Sequence, residues 1–324
     1  MKKLFTLFVF AVSSLMSLHA EGNSAYREVF KKTVKADGSV SETVQTKYDE
    51  KGREDTIYTT SVVGLNVPGY PENNSTTQSM DVTCYNDMNQ PIRIEHYEMM
   101  EGDWTMLGFT NQSDFDFYQR PCRFEGYERN EETGEMEKKT LIVVERYAEG
   151  FCILESVTYV WVDDDWQKVT QQTGSVDEFG NRSQTVISAT TDLGGFSMKI
   201  DNKTSYEYYY EPVVCYKSIK METYINGVLD EVNSLINTYE YKYGKEGLPT
   251  EQISYKNGEY FQTTYFTYEA IADDELILRD AAMTTKGVYN INGVYMGENL
   301  NNLPDGFYII RTNQGAKKVL KTRK

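Results

Sequence analysis

The chain has 324 residues, with 33 basic and 49 acidic side chains, two histidines and four cysteines. A hydrophobic content of 40% with 13% aromatic residues is enough to build a core, which argues against a disordered chain. The formal net charge of −16 predicts repulsion from nucleic acid and from anionic lipid, so we expect no nucleic-acid partner.

Residues 1–20 have the pattern of a secretory signal peptide. Lys2 and Lys3 precede an apolar run from Leu4 to Leu18, and Ala20 offers a small residue at a cleavage site. The apolar run is shorter than the ~20 residues that span a bilayer. We therefore expect export and cleavage, with no transmembrane segment in the mature chain; a retained membrane anchor is the alternative.

Residues 21–272 form the predicted body, in which turn signals recur about every 30 residues. The first set of turns follows an aromatic or apolar residue, and its members begin at Tyr48, Tyr85, Phe117, Tyr147, Val176, Tyr208 and Tyr243. A second set lies between them, and Asn226-Gly227 and Asn257-Gly258 are its clearest members. Asn-Gly pairs favour type I′ hairpin turns because both residues need positive φ.

The segments between these turns alternate between apolar and polar residues. Pro91 to Met100 is one such segment, and Ile253 to Tyr268 contains two with a turn between them. Alternation with period two predicts strands. The fold class is therefore predicted as all-β, an antiparallel meander of about 12–14 strands in an open or curled sheet. Leu65 to Thr77, with two prolines, interrupts the pattern and is expected to form a long loop.

The sequence Tyr-Asp-x-x-Gly-Arg at Tyr48 to Arg53 resembles the YD (RHS-type) repeat of bacterial secreted and surface proteins, and Val176 to Arg182 resembles it in part. The resemblance implies a long β-sheet built from hairpins, sometimes wrapped into a shell. It bears on architecture and implies no activity.

Residues 273–285 are the predicted linker, and residues 286–324 a small C-terminal β unit. Three short strands are expected there, at Val288 to Ile291, Phe307 to Arg311 and Lys317 to Leu320. This tail resembles the C-terminal sorting domain of the type IX (Por) secretion system of Bacteroidetes. The resemblance implies that the secretion machinery is a partner and that the sorting signal comprises Tyr289, Asn292, Gly293, Gly306, Tyr308, Lys317 and Lys318.

Few residues in the body are suited to catalysis or to metal binding. His96 is the single histidine beyond the predicted signal peptide, so any Ser-His-Asp or Cys-His site must include it. A structural role in a strand is the favoured interpretation of His96. No metal site or cofactor is predicted.

The four cysteines are Cys84, Cys122, Cys152 and Cys215. Equivalent strands of a meander lie about 10 Å apart, which exceeds the reach of a disulfide. We therefore predict small core residues rather than bridges, with Cys122–Cys152 as the first pair to check.

Trp104 and Trp166 occupy the same position in two turns of the second set and are the candidate ligand-binding residues. A core role is the favoured alternative.

The sequence favours an exported interaction protein at the cell surface or outside the cell, with the periplasm as the alternative location and a glycan or a protein as its ligand. Two other functions stay open, a secreted glycan-acting enzyme with paired carboxylates and an outer-membrane β-barrel. Charges on both faces of the strands argue against the barrel.

Overall fold

A computed structural model describes residues 26–65, 73–148, 152–193, 196–271, 285–290, 295–297, 306–312 and 315–321. The predicted signal peptide, most of the predicted linker, and Asn292 and Gly293 of the predicted sorting signal lie outside these ranges.

The body is a meander of 16 antiparallel strands. In chain order these are β1 Tyr26–Lys35, β2 Val40–Tyr48, β3 Glu54–Leu65, β4 Asn73–Tyr85, β5 Pro91–Met100, β6 Asp103–Phe115, β7 Pro121–Arg129, β8 Met136–Tyr147, β9 Ile153–Val162, β10 Asp165–Val176, β11 Arg182–Leu193, β12 Phe196–Tyr209, β13 Cys215–Ile225, β14 Val228–Tyr243, β15 Pro249–Lys256 and β16 Glu259–Ala270. The all-β, antiparallel prediction is confirmed, and the predicted strand at Pro91 to Met100 coincides with β5.

The sheet closes on itself, which corrects the prediction of an open or curled sheet. The first strand pairs with the last along nearly its whole length, from Tyr26 opposite Ala270 to Lys35 opposite Gln262. The strand number was also underestimated. One cause is the β1–β2 hairpin, whose turn at Asp37 and Gly38 lies at the same end as the second set of turns but was not recognised as a member of that set.

Strand residues of a closed sheet point alternately inward and outward. Residues that lie directly opposite each other on paired strands share a face, so the register defines one set of same-face residues around the barrel. Thr33 lies opposite Thr264 and Ser156 lies opposite Gln172 in this set, and all four residues are buried. Tyr85 belongs to the same set, and burial is the main cause that raises its pKa to about 12. We assign this set to the inner face of the barrel, because the concave side crowds its side chains, and the alternate set to the outer face.

The two ends of the barrel differ in their turns. We call the end that carries the first set of turns the Asx-turn rim and the other end the hairpin rim. At the hairpin rim, Asn226-Gly227 and Asn257-Gly258 have positive φ at every position, as predicted from the sequence. Asp163 and Asp164 do the same at φ of 51° and 62°.

The predicted long loop from Leu65 to Thr77 is wrong at its two ends, where Leu65 belongs to β3 and residues 73–77 belong to β4. Strand β4 begins at Asn73, and its first residues pair with the end of β3, with Ser61 opposite Thr77. Residues 66–72 lie outside the described ranges. The alternation here is hidden because small polar residues dominate both faces of the two strands.

The C-terminal unit is a four-stranded sheet in the order β18-β17-β19-β20. Its strands are β17 Thr285–Asn290, β18 Tyr295–Gly297, β19 Gly306–Thr312 and β20 Gly315–Lys321, one more strand than predicted. Val288 is fully buried and Tyr308 is buried. Its Tyr289 ring contacts the Phe117 ring of the Asx-turn rim edge-on, with the centroids 6.2 Å apart.

None of the four cysteines forms a disulfide. Cys215 is buried, whereas Cys84, Cys122 and Cys152 are partly exposed, so only Cys215 fits the predicted core role fully. Cys152 lies beside the positively charged guanidinium group of Arg182, whose Nε is 3.4 Å from the Cys152 sulfur.

Candidate functional site

The Asx-turn rim is a repeated structural element. In four of its turns, a side-chain oxygen accepts the backbone N–H groups two and four residues further along, at 2.8–3.0 Å. The accepting residues are Asp49, Asn86, Asp116 and Asp177. These bonds satisfy donors that the tight turn would otherwise leave without a partner.

Each of these turns is tied to the neighbouring hairpin by a tyrosine and, in two cases, by an arginine. The Tyr85 hydroxyl donates to the carbonyl of Glu54 at 2.7 Å, and Arg53 stacks on the Tyr85 ring at 4.0 Å. The same pattern recurs with Tyr147, whose hydroxyl donates to Pro121 while Arg120 stacks on its ring at 4.3 Å. Burial raises the pKa of the Tyr147 phenol. These hydrogen bonds and ring contacts tie neighbouring hairpins together at this rim.

The outer face carries paired charges at the middle of the strands. Arg93 pairs with Glu95 at 3.1 Å, and Arg123 pairs with Glu125 at 2.6 Å. Lys203 and Glu222 face each other from β12 and β13 at 3.8 Å. Such pairs are readily solvated in water, whereas a lysine or arginine on a lipid-facing position costs about 2–4 kcal/mol at the bilayer midplane.

Aromatic side chains lie among these charges on the outer face. Trp104 lies on the outer face, is 37% exposed and contacts Tyr58 edge-on at 6.1 Å between centroids. Phe109 and Tyr127 stack at 4.6 Å, with Arg93 over the Phe109 ring at 3.6 Å. Trp104 is therefore an exposed residue of the outer face and not a core residue.

A groove of about 480 Å³ lies at the hairpin rim, between the β7–β8 and β9–β10 hairpins. Its lining residues are Glu137, Lys138, Lys139, Trp161, Asp163 and Asp164. Trp161 is the aromatic wall of the groove. The strand register places it directly opposite Trp166, and the two rings meet edge-on at 4.9 Å.

The charged groups of the groove are ordered by mutual contacts. The Lys138 ammonium lies 4.8 Å from the centre of the Trp161 ring. Lys139 donates to Glu137 at 2.9 Å, and Asn130 donates to the same carboxylate at 2.5 Å. These two bonds lower the pKa of Glu137, so it is an ionised acceptor. A glycosidase acid needs the opposite shift, so Glu137 suits binding better than proton donation.

Of the two predicted ligand-binding residues, the structure places Trp166 beside the groove and Trp104 on β6, two strands away from β8, the nearest strand that lines the groove. Trp161 was missed, although Trp161 and Trp166 flank the predicted turn at Asp163-Asp164 symmetrically. A hairpin register drawn through that turn would have paired them.

Within the predicted sorting signal, Tyr289 and Tyr308 lie in neighbouring strands β17 and β19, and Lys317 and Lys318 lie opposite Ile310 and Ile309. Gly306 begins β19.

Across the described residues, no three histidine, cysteine, aspartate or glutamate side chains are grouped closely enough to hold a metal ion. No helix in the same residues is long and apolar enough to span a bilayer.

No protein-family model matches the sequence, and no curated protein matches it. Among solved structures, a porin-like protein from Bacteroides uniformis is similar over 75% of this chain and 98% of its own, with 11% identity and a TM-score of 0.41. Two toxin complexes also match, TcdB2-TccC3-Cdc42 at 10% identity and TM-score 0.18, and the Photorhabdus luminescens Tc holotoxin pore at 12% and 0.15. The matched region covers 88% of this chain but only 21% and 20% of those two chains. At these scores the similarities carry no functional argument.

Proposed function

We propose that this protein is an exported β-barrel that binds a polar ligand, most simply an oligosaccharide, in the groove at its hairpin rim. The observation that carries the proposal is the Trp161 wall flanked by acidic side chains and lysines. An indole face packs against the C–H face of a sugar ring, while carboxylates and ammonium groups bond to hydroxyls. Trp166 supports the Trp161 ring from the neighbouring strand.

The test is a calorimetric titration of the mature protein with cello-, malto- and chitohexaose. Binding of at least one hexaose is expected, and Trp161→Ala should weaken it about tenfold or more, as for a central aromatic contact. Trp104→Ala is the matched control, because Trp104 is an exposed outer-face tryptophan outside the groove. Failure of all three sugars to bind, or equal losses in the two variants, would contradict the proposal.

An outer-membrane barrel is the second candidate, and the closed, even-numbered sheet favours it. Bacterial outer-membrane barrels have even strand numbers, and their strands need about 9–11 residues to cross the bilayer. Most strands here are of that length or longer, as in β12 with 14 residues. The paired charges at mid-strand on the outer face favour a water-filled surrounding instead.

Fractionation of the native host separates these two candidates. A water-surrounded barrel should be released from membranes by alkaline carbonate, whereas an integral barrel should stay in the pellet until detergent is added. Retention in the carbonate-washed pellet would replace our first proposal with the second.

We further propose that the C-terminal unit directs export through a type IX system. The support is the sequence resemblance together with a separate four-stranded sheet, in which Val288 and Tyr308 are buried. Deleting residues 286–324 should leave the body in the periplasm, whereas the full chain should reach the surface or the medium, as judged by intact mass in each fraction. Unchanged surface delivery of the truncated chain would contradict this role.

A further inference from the structure

The single histidine of the body lies in a hydrogen-bonded row across three strands. The carboxylate Oδ1 of Asp81 on β4 is 2.8 Å from Nδ1 of His96 on β5. Nε2 of His96 is 3.4 Å from the hydroxyl of Thr110 on β6. All three residues belong to the inner face, because the strand register pairs Asp81 with His96 and Thr110 with Ile94.

The chemistry of the carboxylate defines the proton positions in this row. An ionised Asp81 can only accept, so it favours the tautomer of His96 that carries its proton on Nδ1. Nε2 is then a lone pair that faces the Thr110 hydroxyl. A hydroxyl, an imidazole and a carboxylate in this order are the parts of a nucleophile activated by a base and its orienting group.

The row is accessible from the barrel interior. The side chains of His96 and Asp81 are 40% and 35% exposed, so solvent reaches them. Gly108 lies directly opposite His96 and Gly126 directly opposite Thr110, and the space in front of them is taken by the Tyr127 carbonyl and the Thr140 side chain. An acyl group that approaches the Thr110 hydroxyl across Gly126 would have to rotate the Thr140 side chain aside.

We propose that Thr110, His96 and Asp81 form an ester-cleaving site on the inner face. The Thr110 oxygen bonds to the ester carbonyl carbon while its proton passes to Nε2 of His96. The bond to the leaving alkoxide then breaks, and His96 returns the proton to it, which leaves an acylated Thr110. Water, deprotonated by His96, cleaves this second ester and restores the free hydroxyl. Asp81 is a positioning residue, because it acts through the imidazole.

The probe is p-nitrophenyl acetate with the mature protein, followed by nitrophenolate release and by peptide mapping of acid-quenched samples. We expect acetylation of residue 110, and a loss of rate of about 10²-fold or more in Thr110→Val and in His96→Gln, the usual contribution of a general base. Thr110→Ser should keep the activity. Thr105→Val is the matched control, because Thr105 lies on the same face of the same strand, opposite Glu98.

The positioning role of Asp81 has its own readout. Asp81→Asn should slow acetylation of residue 110, and Asp81→Glu should restore part of the rate, whereas a purely structural carboxylate would alter only the unfolding midpoint. No acetyl group on residue 110 in the wild-type protein would overturn the proposal, and so would equal rates in Thr110→Val and Thr105→Val. Because Thr110→Ser keeps the hydroxyl, its failure to react while folded would also overturn it.

Discussion

Truncation of Arg120 to alanine tests whether the Asx-turn rim holds the barrel together. Arg120 is only 7% exposed, and its guanidinium is 2.6 Å from the Asp116 carboxylate and 2.7 Å from the Ala148 carbonyl of the neighbouring hairpin. Hydrogen bonds to charged groups contribute about 1.5–3 kcal/mol each, and breaking a buried ion pair costs about 3–5 kcal/mol.

The expected loss for Arg120→Ala lies at the lower end of that range. Asp116 keeps its backbone donors from Tyr118 and Arg120, and its side chain is 22% exposed, so it is not left without partners. We therefore expect a decrease of about 3 kcal/mol in the free energy of unfolding. For a body of this size that corresponds to a fall of about 6–12 °C in Tm.

The assay is thermal and urea unfolding followed by circular dichroism, with Arg146→Ala as the control. Arg146 also pairs with a carboxylate, that of Glu155, but the two side chains are 54% and 37% exposed. An exposed pair contributes less than about 1 kcal/mol. If Arg120→Ala destabilises the protein no more than Arg146→Ala, the rim is not the stabilising element inferred here.

Three further predictions concern titration and packing. Burial raises the pKa of Tyr85 and Tyr216 to about 12. Their contribution to the free energy of unfolding is therefore present below the unfolded pKa of about 10 and is lost as the pH rises toward 12. Absorbance at 295 nm should show phenols that ionise late, and titration of all tyrosines near pH 10 would refute this. Burial opposes the ionisation of Asp177, but hydrogen bonds from Tyr210, Asn181 and Phe179 outweigh it and lower its pKa. Stability should therefore fall as pH drops below about 4, and less steeply in Asp177→Asn. Gly108→Ala should lower the free energy of unfolding by about 1–3 kcal/mol, because the new Cβ would meet the backbone carbonyl of Tyr127. Gly126→Ala should lower it by less, because the obstacle there is the Thr140 side chain, which can rotate. A larger loss in Gly126→Ala than in Gly108→Ala would contradict this contact geometry.

The hairpins were largely predictable because the turn chemistry is local. Asn257-Gly258 has the positive φ that its sequence demands, and β5 coincides with the alternating segment Pro91 to Met100. Closure was not predictable, because an open and a closed sheet require the same alternation. What closes the sheet is the register between β1 and β16, which lie at opposite ends of the body.

The candidate sites were predictable only in part, because cross-strand partners depend on bulges. His96 was recognised as the residue that a triad would require, but its partners were not. A register shift between His96 and Tyr97 decides which β6 residues come near the imidazole, and the sequence does not mark it. Trp166 was recognised from its turn position, whereas Trp161, inside a strand, needed the register of the β9–β10 hairpin.

The seam between β1 and β16 determines the order in which the molecule can fold. Every other pairing of the body joins strands that are neighbours in the chain, and such hairpins form in microseconds. The ion pair between Arg27 and Glu269 instead joins residues 242 positions apart, so it forms only after almost the whole body is available. A chain that emerges from a translocation channel amino-terminal end first would carry β1 with an unpaired edge until β16 arrives. During that interval the unpaired edge can pair with other chains and cause aggregation. A chaperone that holds the unfolded chain, or rapid translocation of the body, would therefore increase the yield of folded protein.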